Sequence, residues 1–85
     1  MRGIVEEARF AEDLAAIEPD AMRADEFIDG AKWILARDAR QGTQVAPDSC
    51  VWFLPMNDVP DAPSLILYYT FDQKQVYFLS IQIAP

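Results

Sequence analysis

Whatever chemistry this chain performs, it performs without histidine, since none occurs among its 85 residues. That removes the commonest general base and the commonest metal ligand together. Arg37 and Arg40 stand at and just beyond the end of a helical stretch. A basic pair there could hold a phosphate or an acidic partner, and its ordinary role is to neutralise a helix C-terminus. Tyr68, Tyr69 and Tyr77 are the phenols, and neighbours on a strand point to opposite faces, so one of Tyr68 and Tyr69 is core and the other outward. Cys50 has no second cysteine to pair with and no histidine to activate its thiolate, and is read as a small buried residue. Glu6/Glu7 and Glu12/Asp13 are carboxylate pairs, but a hard cation needs more oxygen ligands than they supply, and they read as solvated surface. With no Gly-rich phosphate loop and no metal-ligand spacing, neither cofactor nor metal is expected.

The elements that must position these residues form one domain, residues 1–85. Apolar residues make up 52% of the chain and charged ones 25%, which excludes a disordered chain. The net charge is -7, and the acids crowd into the first thirty residues. That balance argues against non-specific binding to nucleic acid and suits a basic protein partner. No apolar run approaches the ~18 residues of a membrane span, and no basic-then-apolar leader opens the sequence. A lone cysteine fits a reducing cytoplasm.

Ile4 and Val5 mark a short first strand within residues 1–8. Phe10, Leu14 and Ile17 then follow at the spacing of one helical face. Pro19 ends that helix, and Asp20 offers an N-cap to a second, over residues 21–38. Met22, Phe27, Ile28, Ala31, Ile34 and Leu35 form its apolar stripe, with Trp33 at the edge and Gly42 as the helix stop. The period then changes. Residues 50–54 (CVWFL) read as a strand cut by Pro55, and residues 55–64 as a polar loop. Leu65–Phe71 and Gln75–Ile83 read as a hairpin closed by a tight DQKQ connection. The order is β-α-α-β-β-β, an α+β domain with a helical hairpin on a three- to four-stranded twisted antiparallel sheet. Alternation sets Leu65, Leu67, Tyr69 and Phe71 under the helices and Ile66, Tyr68 and Thr70 on the other face. Ile66, Tyr68 and Trp52 are therefore expected to form an exposed partner-binding patch, with Tyr77 nearby.

The runs WILARDARQGTQV, VWFLP and LILYYTFDQKQVYFLSI resemble the RelE/ParE superfamily of toxins from bacterial toxin–antitoxin modules. The segment from Leu35 to Gly42 matches the family's helix-ending motif, and Tyr69, Asp72, Val76 and Ile81 fall in matching places of its strand pair. The resemblance spans roughly Phe10 to Ile83. It implies two helices on an antiparallel sheet and a small antitoxin partner. Some members cleave mRNA on the ribosome, and others poison DNA gyrase. The family's ribonucleases use basic residues on the central strands, to stabilise phosphorane charge, and a His or Tyr near the C-terminus. Here Ile66 and Thr70 occupy the familiar arginine positions, Gln82-Ile83-Ala84-Pro85 closes the chain, and Lys74 is the one basic residue after Cys50. The expectation is a toxin-like component of a type II module that binds an antitoxin-like protein, without the usual cleavage site. The alternatives are an mRNA endoribonuclease built on Arg37, Arg40, Tyr68 and Tyr77, and a non-toxic interaction module or homodimer.

Overall fold

The computed structural model describes residues 1–57 and 61–85, so residues 58–60 of the expected polar loop lie outside the described residues. The elements are β1 (Gly3–Glu6), α1 (Ala8–Ile17), α2 (Ala21–Arg37), a 3-10 turn (Ala39–Gln41), β2 (Thr43–Gln44), β3 (Trp52–Met56), β4 (Leu65–Phe71) and β5 (Gln75–Ile83). The sheet has five strands in the order β1-β5-β4-β3-β2. It is mixed, because β1 runs parallel to β5 while the remaining pairs are antiparallel. The expected strand count was therefore low: the short pieces β1 and β2 extend a β3-β4-β5 meander at its two edges.

α1 begins after Glu7 without a side-chain cap, whereas α2 begins at one. Asp20 caps α2, its Oδ1 accepting from the backbone N–H of Met22 and Arg23 at 3.0 and 3.4 Å. Asp20→Ala leaves those donors without their acceptor and should cost about 1 kcal/mol in chemical denaturation. Asp38 ends α2, and its carboxylate caps the 3-10 turn through the Arg40 N–H at 3.1 Å. The buried stripe of α2 is Ala24, Phe27, Ile28, Ala31, Leu35 and Ala36. Met22 and Ile34, expected on it, are 80% and 38% exposed. Met22 lies two residues before Ala24, about 200° round the helix, so it faces solvent.

The core forms where this stripe and Phe10 and Leu14 of α1 meet Leu65, Leu67, Tyr69, Val76, Phe78 and Ile81 of the sheet. Phe10 meets Phe78 edge to face, with ring centroids 5.2 Å apart. The β4–β5 pairing slips between Tyr68 and Tyr69, so Leu79 is left as an extra residue on β5. This bulge changes the inward phase of β5 from Val76 and Phe78 to Ile81. Without it, Ser80 would point into the core.

Two residues expected to end elements do something else. Pro55 lies within β3, opposite Ile66. The strand tolerates it because β2 pairs only with Trp52 and Phe53, so at Pro55 the strand is an edge that needs no N–H. Gly42 is not a left-handed helix stop, its φ being -78°. It is glycine for space: a β-carbon there would overlap the Phe53 carbonyl oxygen and the Tyr69 hydroxyl. Cys50, expected to be buried, is exposed, because the strand begins two residues later at Trp52.

Candidate functional site

The helices cover one face of the sheet and leave the other open. Ile66 and Tyr68 stand on the open face, half-buried by their neighbours, while Leu65, Leu67 and Tyr69 are buried beneath the helices. Cross-strand register places Phe53 opposite Tyr68, Pro55 and Gln82 opposite Ile66, and Tyr77 opposite Thr70. The Phe53 and Tyr68 ring centroids are 6.5 Å apart. Gln82 Nε2 donates to the Tyr68 hydroxyl at 3.0 Å, which fixes that ring at the surface. The result is an aromatic and aliphatic patch with a polar margin, and none of the residues just named is basic.

Trp52 does not belong to this patch, contrary to expectation. It lies opposite Tyr69, packs against the core, and places its ring 5.5 Å from Phe71. Phe53 takes its place. Adjacent strand residues must face opposite ways, and which of Trp52 and Phe53 turns outward depends on register with β4, a long-range fact that no local pattern carries.

The arginine and tyrosine candidates are distributed over different surfaces. Arg37 lies over the exposed Trp33 ring, 4.0 Å from its centroid, and donates from Nη1 to the Trp33 carbonyl at 3.1 Å. Arg40 lies over Phe71 on the helix side of the sheet, 5.8 Å from the ring centroid. Tyr68 and Tyr77 stand on the open side. Tyr77 donates its hydroxyl to Asp72 Oδ2 at 3.1 Å. That bond to a carboxylate, chiefly, holds the Tyr77 phenol above its ordinary pKa, with burial and the negative charges of Asp72 and Glu7 adding to it. A phenol so held keeps its proton at neutral pH and serves poorly as a base. Asp72 is in turn kept acidic mainly by the backbone N–H groups of Lys74 and Gln75, at 2.7 and 2.8 Å. This pair closes the β4–β5 turn.

Tyr69 is the buried phenol. It donates to the Ala39 carbonyl at 2.7 Å and accepts from the Gly42 N–H at 3.0 Å, tying the segment after α2 to the sheet. Burial raises its pKa, the Gly42 N–H opposes the rise, and the charge of Asp38 adds to it. A proton held more tightly in the folded state than in the unfolded one stabilises the fold below the ordinary tyrosine value of 10.0. That contribution is lost as pH rises through the folded-state value. Unfolding midpoints should therefore fall above pH 10.0, and fall less in Tyr69→Phe.

Among the described residues no three His, Cys, Asp or Glu come together to hold a metal ion. No described helix is long and apolar enough to cross a membrane. A shallow groove between α2 and β3 is lined by Gly30, Ile34, Leu54, Pro55 and Met56.

No known family model matches the sequence, and no curated protein matches it. A solved structure does: a chain of the chromosomal ParDE TA system from P. aeruginosa superposes with a TM-score of 0.70 at 20% identity. The match covers 100% of this chain and 98% of that one. At that identity the likeness is one of fold, and the fold is the one that the RelE/ParE resemblance implies: two helices packed on one face of an antiparallel meander, here extended to five strands.

Proposed function

We propose that this chain is the toxin-like component of a type II toxin–antitoxin module and works through protein contact, with an antitoxin-like protein as its partner. The observation that carries this reading is the helix-free sheet face, where Phe53, Ile66 and Tyr68 form an apolar, aromatic surface. Aromatic residues set in a polar margin are characteristic of protein interfaces. The fold shared with a chain of a ParDE TA system supports the same reading. The net charge of -7 suits a basic partner. Cleavage of mRNA is not part of the proposal, because Arg37 lies over Trp33 and Arg40 over Phe71 on the helix side of the sheet, while Tyr68 and Tyr77 stand on its open side.

The test is induced expression in a bacterial host, with growth and mRNA integrity followed together. The expected result is growth arrest with intact mRNA, relieved by co-expression of the small protein from the adjoining reading frame. Discrete cuts in translated mRNA that vanish in Arg37→Ala/Arg40→Ala would establish the endoribonuclease instead. No arrest, with a dimer by sedimentation, would establish the silent module.

A further inference from the structure

The basic residues of this acidic chain are not used alike. Three form ion pairs: Arg9 with Asp13 at 3.3 Å, Arg23 with Glu26 at 3.2 Å, and Lys32 with Glu6 at 3.2 Å. The other four are Arg2, Arg37, Arg40 and Lys74, and none has a carboxylate within ion-pair distance among the described residues. Arg2, Arg40 and Lys74 come from three segments that meet at one end of the molecule, while Arg37, at the end of α2, folds back over Trp33. The Arg2 N–H donates to the Ala36 carbonyl at 2.8 Å, which brings β1 beside the end of α2. The Gly3 N–H donates to the Lys74 carbonyl at 2.9 Å, which brings the β4–β5 turn alongside. Arg2 and Arg40 both lie over the Phe71 ring, 5.1 and 5.8 Å from its centroid.

The guanidinium groups are held before any ligand arrives. Arg2 donates from Nε to the Asp72 carbonyl at 2.7 Å, leaving its two terminal nitrogens for another acceptor. Phe71 supports both cations through its ring face, which lowers the entropy cost of using them. Two carboxylates near this end cap turns, and the charge of Asp72 also acts on Lys74. Asp38 caps the 3-10 turn, and Asp72 caps the hairpin turn and accepts a hydrogen bond from the Tyr77 hydroxyl.

We propose that this end is a docking site for a short acidic segment of a protein partner, separate from the open sheet face. Cations spread over three segments match several separate carboxylates better than one anion. A short peptide also fits better than nucleic acid. A phosphate backbone carries about one charge per 1.7 Å of duplex and would run on past the patch over a chain whose net charge is -7. An acidic peptide delivers a few carboxylates and ends.

The experiment is fluorescence anisotropy with a fluorescein-labelled Glu-Ser repeat peptide, at low and raised salt, with an unlabelled oligouridylate as competitor. Binding is expected to weaken as salt rises, and to weaken at least about tenfold in Arg2→Gln/Arg40→Gln. Arg9→Gln, which removes an ion-paired arginine of α1, should bind as the parent does. Lys74 makes no side-chain hydrogen bond or ion pair among the described residues, so Lys74→Gln reports on the site with little risk to the fold and should weaken binding severalfold. The proposal is overturned by absence of peptide binding, by equal binding to Arg9→Gln, Lys74→Gln and Arg2→Gln/Arg40→Gln, or by oligouridylate displacing the peptide at lower concentration than the unlabelled peptide does.

Discussion

Gly42→Ala is expected to destabilise the fold by about 3 kcal/mol, a fall in Tm of roughly 15 °C for a domain of this size. The cause is space, since the backbone at Gly42 is one that any residue adopts. An added β-carbon overlaps the Phe53 carbonyl oxygen and the Tyr69 hydroxyl, and neither has room to retreat. The Tyr69 ring is wholly buried and its hydroxyl is bonded on both sides. The carbonyl belongs to a strand paired with β2 and β4. Tyr69→Phe alone should cost about 2 kcal/mol, by depriving the Gly42 N–H and the Ala39 carbonyl of their partner. The two changes are not independent. With the hydroxyl gone, one of the two collisions disappears, so the double variant should lose about 1 kcal/mol less than the sum of the singles. Strict additivity in denaturant melts would show that the collision with Tyr69 is not what makes Gly42 necessary.

Phe78→Ala should be costlier, about 4 kcal/mol. Phe78 is fully buried at the middle of β5, and its edge-to-face contact with Phe10 joins the sheet to α1. A domain of 85 residues has roughly 4–13 kcal/mol of stability to lose, so this variant should sit near or beyond the unfolding threshold at ambient temperature. Phe78→Leu keeps most of the apolar volume and should lose about 1.5 kcal/mol. The ordering Ala well below Leu, read from urea midpoints, checks the placement of the core. Equal midpoints for the two would contradict it.

The residues of the strong elements carried their own evidence. The β-branched and aromatic run at Leu65–Phe71, the polar DQKQ turn and Gln75–Ile83 could be bounded from pattern, and the structure has those bounds. The same alternation put Ile66 and Tyr68 on the open face, where they stand. What sequence pattern could not carry was pairing between distant segments. Ile4 and Val5 become a strand because β5 offers a free edge on its far side, where β1 pairs in parallel. Pro55 reads as a strand breaker until β3 is known to be unpaired on that side. Phe53 stands on the open face where Trp52 was expected because one register, Trp52 opposite Tyr69, decides both. Arg2 was missed for a related reason: its neighbours Phe71, Ala36 and Lys74 are all more than thirty residues away in the chain.

The open face therefore rests on residues legible in the sequence, Ile66 and Tyr68, and on one that only the register supplies, Phe53. Its worth as an interface depends on those side chains and little on the fold, because each is only half-buried. Changing them should separate binding from stability. The decisive measurement is the affinity for the protein of the adjoining reading frame, by calorimetry, of the parent chain against Phe53→Asp/Tyr68→Asp, with circular dichroism and Tm recorded on the same samples. An interface centred on this face predicts a loss of at least about a hundredfold, since central aromatic anchors carry most of the binding energy. Secondary structure should be unchanged and Tm should stay within a few degrees of the parent. Undiminished affinity in a folded double variant would contradict it, and so would a parent chain that does not bind that protein at all.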